Sequence, residues 1–177
     1  MPELVVDNTT LWYECKGQGR PVLFLHAFAV TGAMWFPQVP VLTAAGYEVI
    51  CVDQRGHGQS FAPPGPYSIP QMADDIHELI SQLNLEGACV IGLSMGGRVA
   101  LRLALDHPQD VAALVLVSAK SEPAREIRAQ LEALNQRIAQ GEVGPAVDGW
   151  FDTRYQRLMQ HAPDLTRKVM AGWYESN

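Results

Sequence analysis

The chain has 177 residues, 47% of them hydrophobic and 18% charged, with a formal net charge of -6. That balance suits one globular domain with a sizeable core and an appendage, and its acidity argues against a nucleic-acid partner or an anionic membrane surface. No run approaches the roughly 18 apolar residues of a spanning helix, and Met1-Pro2-Glu3-Leu4 lacks the charged and apolar regions of a signal peptide, so cytoplasmic residence is the expectation.

Leu4 to Val6 and Leu11 to Cys15, joined through Asp7-Asn8-Thr9, predict an opening hairpin closed by Gly17-Gln18-Gly19. Val22-Leu23-Phe24-Leu25 reads as a buried strand that delivers His26-Ala27-Phe28 to its carboxyl end, where an open α/β sheet keeps its chemistry. Trp35 to Ala45 predict a helix with Pro37 and Pro40 near its start and Gly46 just past its end. Glu48 to Val52 form the next strand, which runs into Asp53-Gln54-Arg55-Gly56-His57-Gly58-Gln59-Ser60. Beyond the irregular Pro63-Pro64-Gly65-Pro66, Ser68 and Gln71 make a capping box. The helix they open has Met72, Ile76, Leu79, Ile80 and Leu83 on one face and Asp74, Asp75 and Glu78 on the other.

Ala88 to Leu93 has the unbroken apolar character of a buried parallel strand, and the residues after it are spaced as a helix that ends before Pro108. Between them stands Ser94, with Gly92 and Gly96 two residues to either side. This G-x-S-x-G spacing is that of a nucleophile elbow, a sharp corner that exposes a serine hydroxyl at a helix N-terminus. A phosphate cradle is the alternative for a Gly-rich strand-to-helix turn, but the stretch matches neither G-x-G-x-x-G nor G-x-x-x-x-G-K-[ST]. Val111 to Val117 predict one further buried strand. Strands alternating with helices imply an α/β fold with a mostly parallel sheet flanked by helices. From Ser121 the character changes: Ile127, Leu131, Leu134 and Ile138 stripe a polar helix ending at Gly141, and Trp150, Phe151, Leu158, Val169, Met170 and Trp173 follow. The expected organisation is a core over 1–120 and the start of a helical cap over 121–177.

Cys15, Cys51 and Cys89 are odd in number, show no C-x-x-C spacing and fall in strand-like runs, so buried reduced thiols are expected. The five histidines are scattered without metal-ligand spacing, and neither a metal nor a cofactor is expected.

Three motifs together resemble the α/β-hydrolase superfamily, in particular its cap-bearing esterase and lactonase branch, of which the enol-lactonases are one example. They are His26-Ala27-Phe28 after the third strand, Asp53-x-Arg55-Gly56-His57-Gly58-x-Ser60 after the fourth, and Gly92-x-Ser94-x-Gly96-Gly97 after the fifth. The resemblance implies Ser94 as nucleophile and the backbone N–H groups of Met95 and Phe28 as the two oxyanion donors. It places His57 in a structural loop braced by Asp53 and Arg55, and gives His26 a shaping role in the oxyanion loop, where Ala27 replaces the family's usual glycine. Family order puts the catalytic acid and histidine after the nucleophile, beyond the seventh and eighth strands, and no such pair is found. Glu122 stands where a minority of relatives place the acid, although its neighbour Pro123 and its position at a helix start make capping the simpler role; His161 has no motif around it.

Strands one to six are therefore expected, with strands seven and eight missing, and Ala113 to Val117 would then expose an apolar edge. The expectation is the front portion of a longer hydrolase, or a sheet completed by a second polypeptide or a swapped copy in a homo-oligomer. The implied activity is hydrolysis of a small carboxylic ester or lactone through an acyl-enzyme on Ser94. Acyl transfer, perhydrolysis or C–C hydrolysis by the same nucleophile are alternatives, as is a non-catalytic binding module or partner subunit.

Overall fold

The computed structural model describes residues 3–119 and, beyond them, residues 129, 130, 132, 133, 136, 137 and 140–142. The chain divides into two units, Met1–Lys120 and Ser121–Asn177. In the first, β1 (Glu3–Val6), β2 (Thr9–Gly17), β3 (Arg20–Leu25), β4 (Tyr47–Asp53), β5 (Ala88–Leu93) and β6 (Val111–Val117) form one sheet in the order β1-β2-β4-β3-β5-β6. The hairpin strands β1 and β2 pair antiparallel, and β2 pairs antiparallel with β4. From β4 through β3 and β5 to β6 every pairing is parallel, as crossovers through α1 (Val39–Ala44), α2 (Ile69–Leu83) and α3 (Met95–Asp106) require.

Alternation along the central strands sends their side chains to two cores. Leu23, Leu25, Ile50, Val52 and Val90 pack against Ile76, Leu79 and Ile80 of α2 and Val99 and Leu103 of α3. On the other side Val22, Phe24, Val49 and Cys51 enclose Trp35, whose ring centroid lies 4.5 Å from that of Phe24. The helix expected over residues 35–45 is broken: a 3-10 turn spans Gly32–Trp35, and α1 begins only at Val39. Pro37 and Pro40 lack the N–H groups that a continuous helix would use. The start of α2 is as expected, with Ser68 Oγ accepting the Gln71 N–H at 3.2 Å.

Three expectations about burial are corrected. Asp75, assigned to the solvent face of α2, is 3% exposed and pairs in bidentate fashion with Arg55, itself 1% exposed. Residue 75 directly precedes the buried Ile76, and a guanidinium brought up beneath it supplies the counter-charge that permits burial. Strand β6 is present at its expected bounds but is not the buried strand its apolar run suggests; it is the exposed apolar edge expected of a sheet without strands seven and eight, with only β5 as a neighbour among the described residues and Val115, Leu116 and Val117 40–43% exposed. Of the cysteines only Cys51 is buried; Cys89 is half-buried, and Cys15, on the outer half of β2, is exposed and donates to Glu48 Oε1 at 3.2 Å.

In the second unit, residues 129, 130, 132, 133, 136 and 137 are helical. The chain turns at Gly141 with φ +87, and the Glu142 N–H reaches the Arg137 carbonyl at 3.1 Å, the long bond of a Schellman stop. The remaining expectations for the cap, including Glu122, Ile127, Leu131, Leu134, Ile138, Trp150, Phe151, Leu158, His161, Val169, Met170 and Trp173, lie outside the described residues. Among those described, no helix is long and apolar enough to cross a membrane.

The Arg55–Asp75 pair gives a stability test. Asp75→Ala leaves the guanidinium buried with, among the described residues, only Asn8 Oδ1, 3.3 Å away, as a polar side-chain partner. The expected cost is about 3–5 kcal/mol, read as a lowered urea midpoint.

Candidate active site

No loop separates β5 from α3: Leu93 ends the strand, Met95 begins the helix, and Ser94 alone makes the corner. Its backbone stands at φ 51, ψ -107, a region that costs a residue with a side chain of order 1–3 kcal/mol and that persists only when its surroundings impose it. They do so through the main chain. The Ser94 N–H donates to the Val117 carbonyl at 2.9 Å, and the Ser94 carbonyl accepts the Arg98 N–H at 3.2 Å.

The flanking glycines let backbone touch backbone. A Cβ on Gly92 would stand 2.4 Å from the Gly96 carbonyl oxygen, and one on Gly96 would stand 2.3 Å from the oxygen of Leu25 and 2.6 Å from that of His26. The first turn of α3 is thus seated directly on the end of β3. Serine at a helix N-terminus ordinarily caps it by accepting a free N–H, but Ser94 makes no such bond. Its side chain is exposed, and among the described residues it has no hydrogen-bond partner. The N–H of Met95, first in the helix, has no intrahelical acceptor and lies at the positive end of the α3 dipole.

The loop carrying Phe28 leaves β3 beside this corner and is held at both ends by the carboxyl end of β4. At its start the Gln54 N–H donates to His26 Nε2 at 2.9 Å, and Gln54 Nε2 donates to the His26 carbonyl at 2.9 Å. His26 Nδ1 completes the set with the Ala27 carbonyl at 2.7 Å. At its far end the Gly32 N–H donates to Asp53 Oδ1 at 2.7 Å. Between these anchors Ala29 sits at φ 61, and the Phe28 ring meets His57 edge-on with centroids 6.0 Å apart.

The Asp53-to-Ser60 loop is itself consumed in bracing. Asp53 Oδ2 accepts the Gln59 N–H at 2.9 Å, Ser60 Oγ bridges the Trp12 N–H and the Asp53 carbonyl, and His57 Nδ1 bonds the Arg55 carbonyl at 3.0 Å. Burial pushes the Asp53 carboxyl above its usual range, opposed by the N–H groups of Gln59 and Gly32. Burial likewise pushes His26 down to about 3, against the Ala27 carbonyl, which favours its protonation. With both ring nitrogens spoken for, His26 has no lone pair to offer a reacting serine.

Ser94 and Met95 are therefore adjacent at one corner, and Phe28 is on the loop that starts where Gly96 meets β3. Two residues that sequence reasoning passed over complete the assembly: Gln54, which stood only as the variable position after Asp53, and Asp75, which read as a surface carboxylate. The signal for Gln54 was its place at a strand's carboxyl end; for Asp75 there was none.

The buried imidazole predicts a pH response. Unfolded, residue 26 takes up a proton below about pH 6.5; folded, it refuses one down to about pH 3. Its contribution is fully present above that upper value and is lost as pH falls, at about 1.4 kcal/mol per unit. Urea unfolding at about pH 7 and about pH 4 is expected to show a shallower acid loss in His26→Gln than in the parent, the difference isolating this one group.

Comparison with known proteins agrees with this architecture. The alpha/beta hydrolase fold family model matches residues 20–174. An AB hydrolase superfamily protein of Bacillus subtilis (strain 168) is 41% identical over 114 residues, 64% of this chain and 42% of the relative. A thermophilic esterase from Thermogutta terrifontis superimposes with a TM-score of 0.77 at 28% identity, covering 91% of this chain and 60% of its own. An N-acyl homoserine lactone degrading enzyme does so with a TM-score of 0.73 at 27% identity, covering 98% of this chain and 65% of its own. The chain spans less than half the length of the curated relatives it matches. With a strand-to-helix corner at Ser94, a sheet that is parallel from β4 to β6 and a family match over most of its length, the chain belongs to the alpha/beta hydrolase fold family.

Proposed function

We propose that the protein is a serine hydrolase acting on a small carboxylic ester or lactone, with Ser94 as nucleophile and the main-chain N–H groups of Met95 and Phe28 as oxyanion donors. The observation that carries the proposal is the conformation of Ser94: a strained corner at φ 51, ψ -107, both main-chain groups satisfied, and a hydroxyl spent on no cap. Strain of that kind is retained where it serves chemistry.

In the proposed reaction Ser94 Oγ attacks the substrate carbonyl while its proton passes to a general base. The carbonyl oxygen becomes an oxyanion held by the two N–H groups, whose positions are set beforehand by the seating of Gly96 and the anchoring of residues 26 and 32. Collapse expels the alcohol oxygen, which takes up the proton, and leaves an ester on Ser94 that water then hydrolyses. The base is proposed to be a histidine from outside the described residues, where family order puts it after the nucleophile; His26, with both ring nitrogens bonded, is not available. Residues 121–177 are proposed as the start of a helical cap. The esterase and lactone-degrading neighbours support this substrate class.

The second reading is a non-catalytic binding member of the family. A fluorophosphonate probe separates the two. Labelling of Ser94 that disappears in Ser94→Ala, with loss of short-chain ester hydrolysis, supports the enzyme; a folded protein that neither labels nor hydrolyses supports the binding member. A second prediction tests the donors. Phe28→Ala keeps the N–H and is expected to change kcat only a few-fold, whereas Phe28→Pro deletes it and is expected to lower kcat by about 10²–10³.

A further inference from the structure

At the end of α3 remote from Ser94, about 18 Å along a helix of 12 residues, α2 and the turn after α3 bring four ionisable side chains together. His77 lies on α2 and His107 just past α3, and their rings stack with centroids 3.8 Å apart and planes 7° from parallel. Each ring commits one nitrogen to a carboxylate. His77 Nδ1 lies 2.7 Å from Asp110 Oδ2, and His107 Nε2 lies 3.3 Å from Asp74 Oδ1. A carboxylate only accepts, so in the neutral rings those nitrogens carry the protons, and His77 Nε2 and His107 Nδ1 keep their lone pairs. One potential ligand atom from each of His77, His107 and Asp110 falls within 4.8 Å of the other two. Asp110 is 1% exposed, while the histidine side chains keep 34% and 22% exposure, so solvent reaches the rings and not the carboxylate behind them.

We propose that His77, His107 and Asp110 form a binding site for a divalent transition-metal ion, Zn²⁺ by its donor set, separate from the Ser94 centre. Two imidazoles and one carboxylate suit zinc and its late first-row neighbours; magnesium and calcium favour all-oxygen sites. Asp74 holds the far nitrogen of His107 and so fixes which nitrogen faces the ion, the arrangement by which carboxylates orient metal-binding histidines. On binding, the His77 ring proton moves from Nδ1 to Nε2, so that Nδ1 and the Asp110 oxygen beside it hold the ion together. The stack is the metal-free arrangement, because parallel rings do not aim their in-plane lone pairs at one point. Binding turns the rings out of the stack, which their partial exposure allows. An ion held there ties the middle of α2 to the turn between α3 and β6, and by binding the folded chain alone it raises stability.

The test is calorimetric titration of ZnCl₂ into the full 177-residue chain after treatment with EDTA, with thermal unfolding in parallel. The expected result is a single saturable equivalent, a rise in Tm that EDTA reverses, and loss of both in His77→Asn and in His107→Asn. Asp74→Asn changes a carboxylate that is 63% exposed and leaves the fold intact; it is expected to weaken binding about 10–100-fold. His57→Asn is expected to bind as the parent does. Absence of saturable binding, binding that survives both histidine variants, or binding lost in His57→Asn would overturn it, leaving two histidine–aspartate pairs that only pin α2 to its neighbour.

Discussion

The constraint on which the site depends is a backbone contact: the first turn of α3 lies directly on the carbonyl ends of β3, with no side chain between. Gly96 is in van der Waals range of Leu25 and His26 main-chain atoms, and Gly92 in turn meets Gly96 and Gly97. Closeness of that order is what forces Ser94 out of the usual helix-entry conformation and into φ 51. The same contact couples two parts of the proposed machinery, since the chain segment that Gly96 touches is the one that continues into Phe28. Nucleophile and oxyanion loop are positioned by one packing event.

Around that contact the carboxyl end of β4 acts as a clamp. Consecutive residues, Asp53 and Gln54, reach across to opposite ends of the Phe28 loop, and the next, Arg55, turns the other way to Asp75 on α2. Three neighbouring residues thus tie a strand, a loop and a helix together with buried polar bonds. Such groups are costly to bury singly and specific once satisfied, because few other arrangements meet all their partners. That is why His26 stays neutral: protonating it would break the bond to the Gln54 N–H in a place where no water can replace it.

Comparing particular elements shows where sequence reading succeeds. All six strands, the corner at Ser94, the start of α2 at Ser68 and the stop at Gly141 were legible, because each is written in a few adjacent residues: an apolar run, a pair of glycines, a capping pair. Asp75 was misread because helical periodicity reports which face a residue is near, and a carboxylate one step from Ile76 is ambiguous until its partner is known. The helix over 35–45 was overextended since two prolines near a helix start are compatible with either a first turn or a break. The exposure of β6 was legible from the strand count, since no seventh strand follows it in the sequence, and not from its own residues, whose apolar character is that of a central strand.

What the sequence determined by itself is therefore local: strand and helix positions, the G-x-S-x-G corner, and a parallel α/β architecture that follows from alternation and crossover chirality. The tertiary structure alone decided which distant groups meet: Arg55 with Asp75, Gln54 with His26, and His77 stacked on His107. The reason is physical. Local conformation is set by sterics and hydrogen bonding within a few residues, whereas these pairings depend on strand order and on how α2 and α3 are laid across the sheet, quantities to which no short stretch of chain refers.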